Sequence, residues 1–196
     1  MKKKFKYKLF KFLATSPVSN LQFFKRPLCF IFGGSTAYSL KGEYQREIIN
    51  NLNVGDILLR RWDRYIVSNM SIKGYWKHVG VYVGNNKVVH ATTKGVVEED
   101  ILTFLRCDHC CVLRASKEDP DKIAEVVPKI AYSTVGKKYD FLFETKNHNY
   151  YYCTEVVDKC YEEFDSINIR PITESYNNAI APNDLLRCGF DEILKY

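Results

Sequence analysis

Residues 78–92 read HVGVYVGNNKVVHAT. Val79, Val81 and Val83 alternate with His78, Gly80 and Tyr82, the period-two pattern of a strand with one apolar face. Gly84-Asn85-Asn86 supplies turn residues, and Lys87–Thr92 returns as a second arm. The stretch therefore predicts an antiparallel hairpin with one histidine on each arm. A three-residue loop of Gly84, Asn85 and Asn86 would pair Gly80 with His90. His78 would then be the diagonal neighbour of His90 on the same face, with Cα atoms roughly 7–8 Å apart. A two-residue Asn85-Asn86 turn would send the two rings to opposite faces. The residues leave both registers open.

Working outward, 54–60 (VGDILLR) reads as the first strand of the body and 62–73 as a helix or loop. A short helix is expected over 100–105 and a short strand over 111–114. Asp119 is an N-cap candidate with Pro120 at the first helical position. Ile123, Val126, Val127, Ile130 and Ala131 then form an apolar stripe, Pro128 is a candidate kink, and Gly136 ends the helix. Residues 139–143 are short and aromatic. A second helix is expected over 152–164, with Cys153, Val156, Val157, Cys160 and Phe164 on one side. Strands and helices in mixed order with at least one hairpin give an α+β fold: a small antiparallel sheet packed against the Cys153 helix. There is no internal repeat and no interdomain linker.

The chain has 196 residues, 46% of them hydrophobic and 27% charged. That composition excludes a disordered, collagen-like or coiled-coil chain, and the length suits one domain. No run of 18 apolar residues marks a transmembrane helix. Seven cysteines cannot all pair within one chain, which favours a reducing compartment. The net charge of +6 is uneven. Residues 1–42 hold nine of the 29 basic side chains and none of the 23 acids. The division expected is a basic extension over 1–42 and a mildly acidic body over 43–196. A basic tail is not a basic folded face, which argues against nucleic acid as a partner. Within the extension, Phe5, Leu9 and Phe12 share one helical face among lysines. Residues 2–26 can therefore lie on an anionic membrane surface, or form a plain basic tail or an atypical leader. A cytoplasmic or membrane-associated location is expected, with export by such a leader left open. Residues 28–32 (LCFIF) are expected to dock on the body.

Cys153 opens a helix, where unpaired N–H groups favour a thiolate, and a nearby imidazole would favour it further. A buried cysteine is otherwise a small hydrophobe, and Cys160 and Cys188 fit that reading. Cys107, His109, Cys110 and Cys111 crowd four zinc-type donors into five residues. A tetrahedral site normally takes a second, distant ligand pair, and the chain offers no matching one, so no metal or cofactor is expected.

The order GDILL (55–59), HVGVYVG (78–84), VVHA (88–91), GKKYDF (136–141), YCTEVV (152–157) and APNDLL (181–186) resembles the permuted papain-like hydrolases related to NlpC-type peptidases. The likeness is strongest to the YiiX/YaeF-like group, and lecithin:retinol acyltransferase-like enzymes are more distant. It spans about residues 50–190. The resemblance implies a circularly permuted papain-like fold in which the histidine of H-x-G-x-Y-x-G precedes the nucleophilic cysteine. It assigns Cys153 as nucleophile, His78 as general base and His90 as third polar member. In YiiX-like proteins that third position is often Glu, whereas acyltransferase-like members use His. Tyr82, Tyr139 and Tyr152 are the candidate substrate contacts within these motifs. The implied activity is acyl transfer through a thioester, on a peptide amide or a lipid acyl group. The alternatives are an inactive member that binds such a ligand, and a protein whose basic head is the functional part.

Overall fold

A computed structural model describes residues 22–23, 26–27, 38–63, 72–143, 149–173 and 176–196. In chain order the elements are β1 (Gln22–Phe23), β2 (Arg26–Pro27), α1 (Gly42–Asn51), β3 (Ile57–Arg61), β4 (His78–Gly84), β5 (Lys87–Thr92) and β6 (Gly95–Asp100). They continue with α2 (Ile101–Phe104), β7 (His109–Arg114), α3 (Pro120–Thr134), β8 (Lys138–Tyr139), β9 (Tyr150–Tyr151), α4 (Cys153–Tyr161) and β10 (Asp191–Lys195). Two short 3₁₀ segments, Tyr176–Asn178 and Pro182–Arg187, precede β10. The amphipathic reading of Phe5, Leu9 and Phe12, and the docking of 28–32, lie outside the described residues.

Six strands form one antiparallel sheet in the order β10-β7-β3-β4-β5-β6. The α+β architecture is as expected, with α1, β6 and β10 added to the elements read from sequence. The hairpin between β4 and β5 decides between the two loops that the sequence left open. The turn is the two-residue Asn85-Asn86 form, with φ of 51° and 58°, and Gly84 pairs with Lys87. Positive φ at both central residues is what a type I′ turn requires, and asparagine tolerates it. One residue further in, Val83 is extra, and the register becomes Tyr82↔Val88 and Val81↔Val89. A bulge in the strand thus supplies the odd residue expected in the loop. It restores the register that puts His78 and His90 on one face.

Strand alternation divides the core into two layers. Leu59, Val79, Val81, Val89, Ala91, Cys111 and Leu113 face α3 and α4 and pack with Ile123, Val127, Val156, Val157 and Cys160. Leu58, Val88, Cys110 and Val112 face the other way, onto Ile48 of α1 and onto Ile101, Phe104 and Leu105. The α3 helix begins as read, with the Asp119 carboxylate accepting from the Asp121 N–H and Pro120 in the first turn. Pro128 is accommodated within it, and Gly136, at φ +84°, follows its end.

The start of α4 is held from several sides. The Glu155 carboxylate accepts from the Tyr152 N–H at 3.0 Å. The Thr154 hydroxyl donates to the Ile180 carbonyl, and the Ile180 N–H donates to the Tyr152 hydroxyl. The segment that supplies Ile180 is fixed in turn by buried Asp184, which accepts from the Ala181 N–H and from Thr173. At the other end, the Tyr161 hydroxyl donates to the Gly55 carbonyl. Buried Asp56 beside it receives two bonds from Arg114 at 2.8 and 2.7 Å.

Candidate active site

A row of polar side chains crosses one end of the sheet on the α1–α2 face. Arg60 on β3 is the cross-strand partner of His78 on β4. His78 Nε2 lies 2.8 Å from His90 Nδ1 on β5. His90 Nε2 lies 3.3 Å from Oε2 of Glu99 on β6, at an angle too oblique for a full hydrogen bond. The same Glu99 oxygen is 3.8 Å from Arg60 Nη1. Phe104 floors the row. Its ring centroid is 5.1 Å from that of His90, 6.0 Å from that of His78, and 3.9 Å from the Arg60 guanidinium carbon. Arg60 also donates to the Phe104 carbonyl at 2.7 Å and lies over the Trp62 ring. Trp62 is 6.0 Å from His78 on its other side.

Gly80 makes this packing fit. It sits between His78 and Tyr82 on the same face. A Cβ there would come within 2.5 Å of Val88 Cγ1 and 2.8 Å of Phe104 Cε2. The small residue in the motif therefore admits the phenyl ring that supports both imidazoles.

Cys153 belongs to the opposite layer, at the first turn of α4. It shares that layer with Val79 of β4, and the nearby backbone N–H groups of Val79, Thr154 and Cys153 favour its thiolate. Val79 follows His78 in β4, and the β4–β5 ladder ends at Val81↔Val89. Cys153 thus packs in the layer of Val79, the residue adjoining His78. With Nε2 of His78 committed to His90, Nδ1 is the nitrogen left for proton exchange.

The electrostatics differ from the sequence expectation. Burial pushes the Cys153 thiol up to about 11, and the three N–H groups and Arg60 pull it down without cancelling that. The helix start alone does not give a resting thiolate. His78 is held well below the ordinary imidazole value by burial, then by the positive charges of Arg60 and His90. His90 is lowered by burial against the opposing pull of Glu99. Both protons therefore rest where burial puts them, giving a neutral thiol and neutral imidazoles. Burial also lowers Arg60, to about 10, which leaves it charged at neutral pH. Glu99 is held below the usual carboxylate range, chiefly by its contact with His90.

The three tyrosines occupy different places. The Tyr82 hydroxyl accepts from the Asn86 N–H beside the hairpin turn, at the far end of β4 from His78. Tyr152 is buried with its hydroxyl taken by Ile180. Tyr139 and Tyr152 both stand within the electrostatic reach of Cys153.

Of the four donors considered for zinc, only Cys107 and Cys110 lie close together. Cys110 and Cys111 point into opposite layers, Cys107 lies in the α1–α2 layer, and His109 bonds Asp63. Among the described residues no three His, Cys, Asp or Glu side chains converge as a metal site. The six described cysteines are all buried and unpaired. Among the described residues no helix is long and apolar enough to cross a membrane. Sequence reasoning missed Arg60, and it weighed Glu99 only alongside Glu98 as an alternative to His90 as third member. The signals available were a cation closing the strand DILLR and an acid nine positions after His90.

A family model described as the permuted papain-like amidase enzyme, YaeF/YiiX, C92 family, matches residues 51–185. The chain is also similar in fold to a solved structure titled the metalloprotein yiiX from Escherichia coli O157:H7. That likeness has a TM-score of 0.58 at 16% identity and covers 74% of this chain and 97% of that one. No curated protein matches.

Proposed function

Because the chain belongs to the permuted papain-like amidase family of YaeF/YiiX type, and so to the cysteine hydrolases, we propose that it transfers an acyl group from an amide to water through a Cys153 thioester. The carrying observation is Cys153 in the first turn of α4, in the same layer as Val79, the residue after a histidine whose Nε2 is already occupied by a second histidine. His78 acts as a neutral general base at Nδ1. As the Cys153 S–H proton moves to Nδ1, sulfur bonds the carbonyl carbon and the π pair moves to oxygen. The Cys153 backbone N–H at the helix start donates to that oxyanion. Collapse expels the amine, which takes the proton back from His78. Water then attacks the thioester by the same route in reverse, and the carboxylic acid and free thiol result. His90 keeps the His78 ring in place and shares its Nε2 proton. Proton transfer coupled to attack suits a pair that rests neutral.

The test uses p-nitrophenyl acetate, an activated acyl donor, with peptide mapping of the acetylated cysteine. Cys153 is expected to carry the acetyl group and to turn over. Cys153→Ala is expected to abolish both p-nitrophenol release and labelling. Labelling at another cysteine, or unchanged release from Cys153→Ala, would overturn the assignment. Stable acetylation of Cys153 without turnover would instead identify a binding member of the fold.

A further inference from the structure

The geometry points to Glu99 as a positioning residue that sets the proton order of the His78–His90 pair, a role that rests on the acyl-transfer reading above. A neutral imidazole carries one N–H. The 2.8 Å contact between His78 Nε2 and His90 Nδ1 therefore holds one proton, donated by one ring or the other. If His90 donates it, the proton of His78 has to sit on Nδ1, and that nitrogen cannot accept from a thiol. If His78 donates it, Nδ1 keeps its lone pair and can act as the base. The outer nitrogen of His90 decides between these arrangements.

Two charged groups reach that end of the row. The Glu99 carboxylate is an acceptor only, and its Oε2 is 3.3 Å from His90 Nε2. It favours the proton on Nε2, which turns His90 Nδ1 into the acceptor and obliges His78 to donate from Nε2. Arg60 is a donor only, and its Nη1 lies 3.8 Å from the same Glu99 oxygen. With the carboxylate present, Arg60 holds it ionised and in place. Without it, a guanidinium would be the charged neighbour of His90 and would favour the opposite tautomer. Glu99 sits two strands away from β4 and touches no reacting atom. Its side chain is 29% exposed, so it stays hydrated enough to remain charged while His90, at 1%, has no water to choose its tautomer.

The test reads tautomers directly. Long-range ¹H–¹⁵N correlation spectra of the full chain labelled with ¹⁵N-histidine should show Nε2–H on both His78 and His90. Glu99→Ala should move the His78 proton to Nδ1 and slow p-nitrophenyl acetate turnover on the order of a hundredfold. That is less than the roughly 10⁴-fold loss when a directly bonded triad carboxylate is replaced. Glu99→Gln keeps a carbonyl oxygen in place and should recover the His78 Nε2–H form and most of the rate. Finding Nδ1–H on His78 in the unaltered protein, or wild-type tautomers in Glu99→Ala, would overturn the inference. The spectra need no turnover, so the first of these results stands even where the variant misfolds. A Cys153→Ala protein that still turns over p-nitrophenyl acetate would sink the acyl-transfer reading and leave the tautomer result intact.

Discussion

The two faces of the sheet are built by alternate residues of the same strands, yet they do different work. The α3–α4 face of β3, β4, β5 and β7 is hydrocarbon and thiol, with Leu59, Val79, Val81 and Val89 at 0% exposure. Its opposite carries Arg60, His78, His90 and Glu99 in a row over one phenyl ring. The apolar face has no polar group to satisfy and can seat a helix tightly. That seating holds Cys153 in the same layer as Val79, the residue after His78. The polar face surrounds its rings with one another, so each proton position depends on a neighbour. Rigidity comes from one side and proton placement from the other, and they adjoin at Val79 and His78 of β4.

This contrast is broken most forcefully by comparing His78→Ala with Leu59→Ala. Loss of a base from a hydrolase triad removes on the order of 10⁶ in rate where it has been measured. His78→Ala should abolish p-nitrophenyl acetate turnover with little change in melting temperature. Leu59→Ala should lower stability by about 2–5 kcal/mol and leave the rate per folded molecule close to normal. Thermal unfolding and active-site titration on both variants check this. A Leu59→Ala protein that is stable but slow would show that the faces are not separable.

How much of this was legible follows the same division. The apolar face was readable because alternation and the α3 stripe are patterns of hydrophobicity alone. Cys153, His78 and His90 could be singled out because each sits in a short motif. The register was only half readable. An Asn-Asn pair announces a two-residue turn, but the extra residue Val83 leaves no mark in composition. Glu99 could not be told from Glu98 because GVVEED lacks alternation, so β6 went unread. A two-residue turn at Thr93-Lys94 pairs His90 with Val97 and brings Glu99 to the diagonal. The raised thiol pKa was not legible either, since it depends on how completely the helix start is buried.

A smaller effect is expected where the polar face depends on the absence of a side chain. Gly80→Ala would press a methyl against Val88 and Phe104, and overpacking of this kind costs about 1–3 kcal/mol. In a chain of this size each kcal/mol lowers the melting temperature by about 2–4 °C. Phe104 also supports both imidazoles, so turnover should slow as well. Differential scanning calorimetry beside the acetate assay measures both. A stability loss with unchanged rate would mean that the rings do not rely on Phe104 for their placement.

The smallest effect expected is a shift in pH, and it tests whether the row acts as an electrostatic unit. His78 must be neutral to accept a proton, so the rate falls as pH drops through its pKa. Burial, Arg60 and His90 hold that pKa well below the ordinary value, and the acid limb should lie below about 6.5. The charged and titratable groups acting on His78 are Arg60 from β3 and His90 from β5, and Glu99 from β6 acts on both of these. Arg60→Met keeps an apolar stem over Phe104 and Trp62 while removing the positive charge. A lost cation makes protonation of His78 easier, so the acid limb should move up, by about one pH unit for a partly screened neighbour. The same change withdraws the attraction that lowers the thiol, so any basic limb should also move up. The sign carries through to stability. Groups with depressed folded pKa values leave the unfolded chain binding more protons, so the native protein loses stability as pH falls below about 6.5. In Arg60→Met that acid-side slope should be shallower. Rate profiles and melting temperatures between pH 4 and 9 give both readings. An acid limb that stays in place after the charge is gone would mean that burial alone sets His78, and that Arg60 serves the fold without tuning the base.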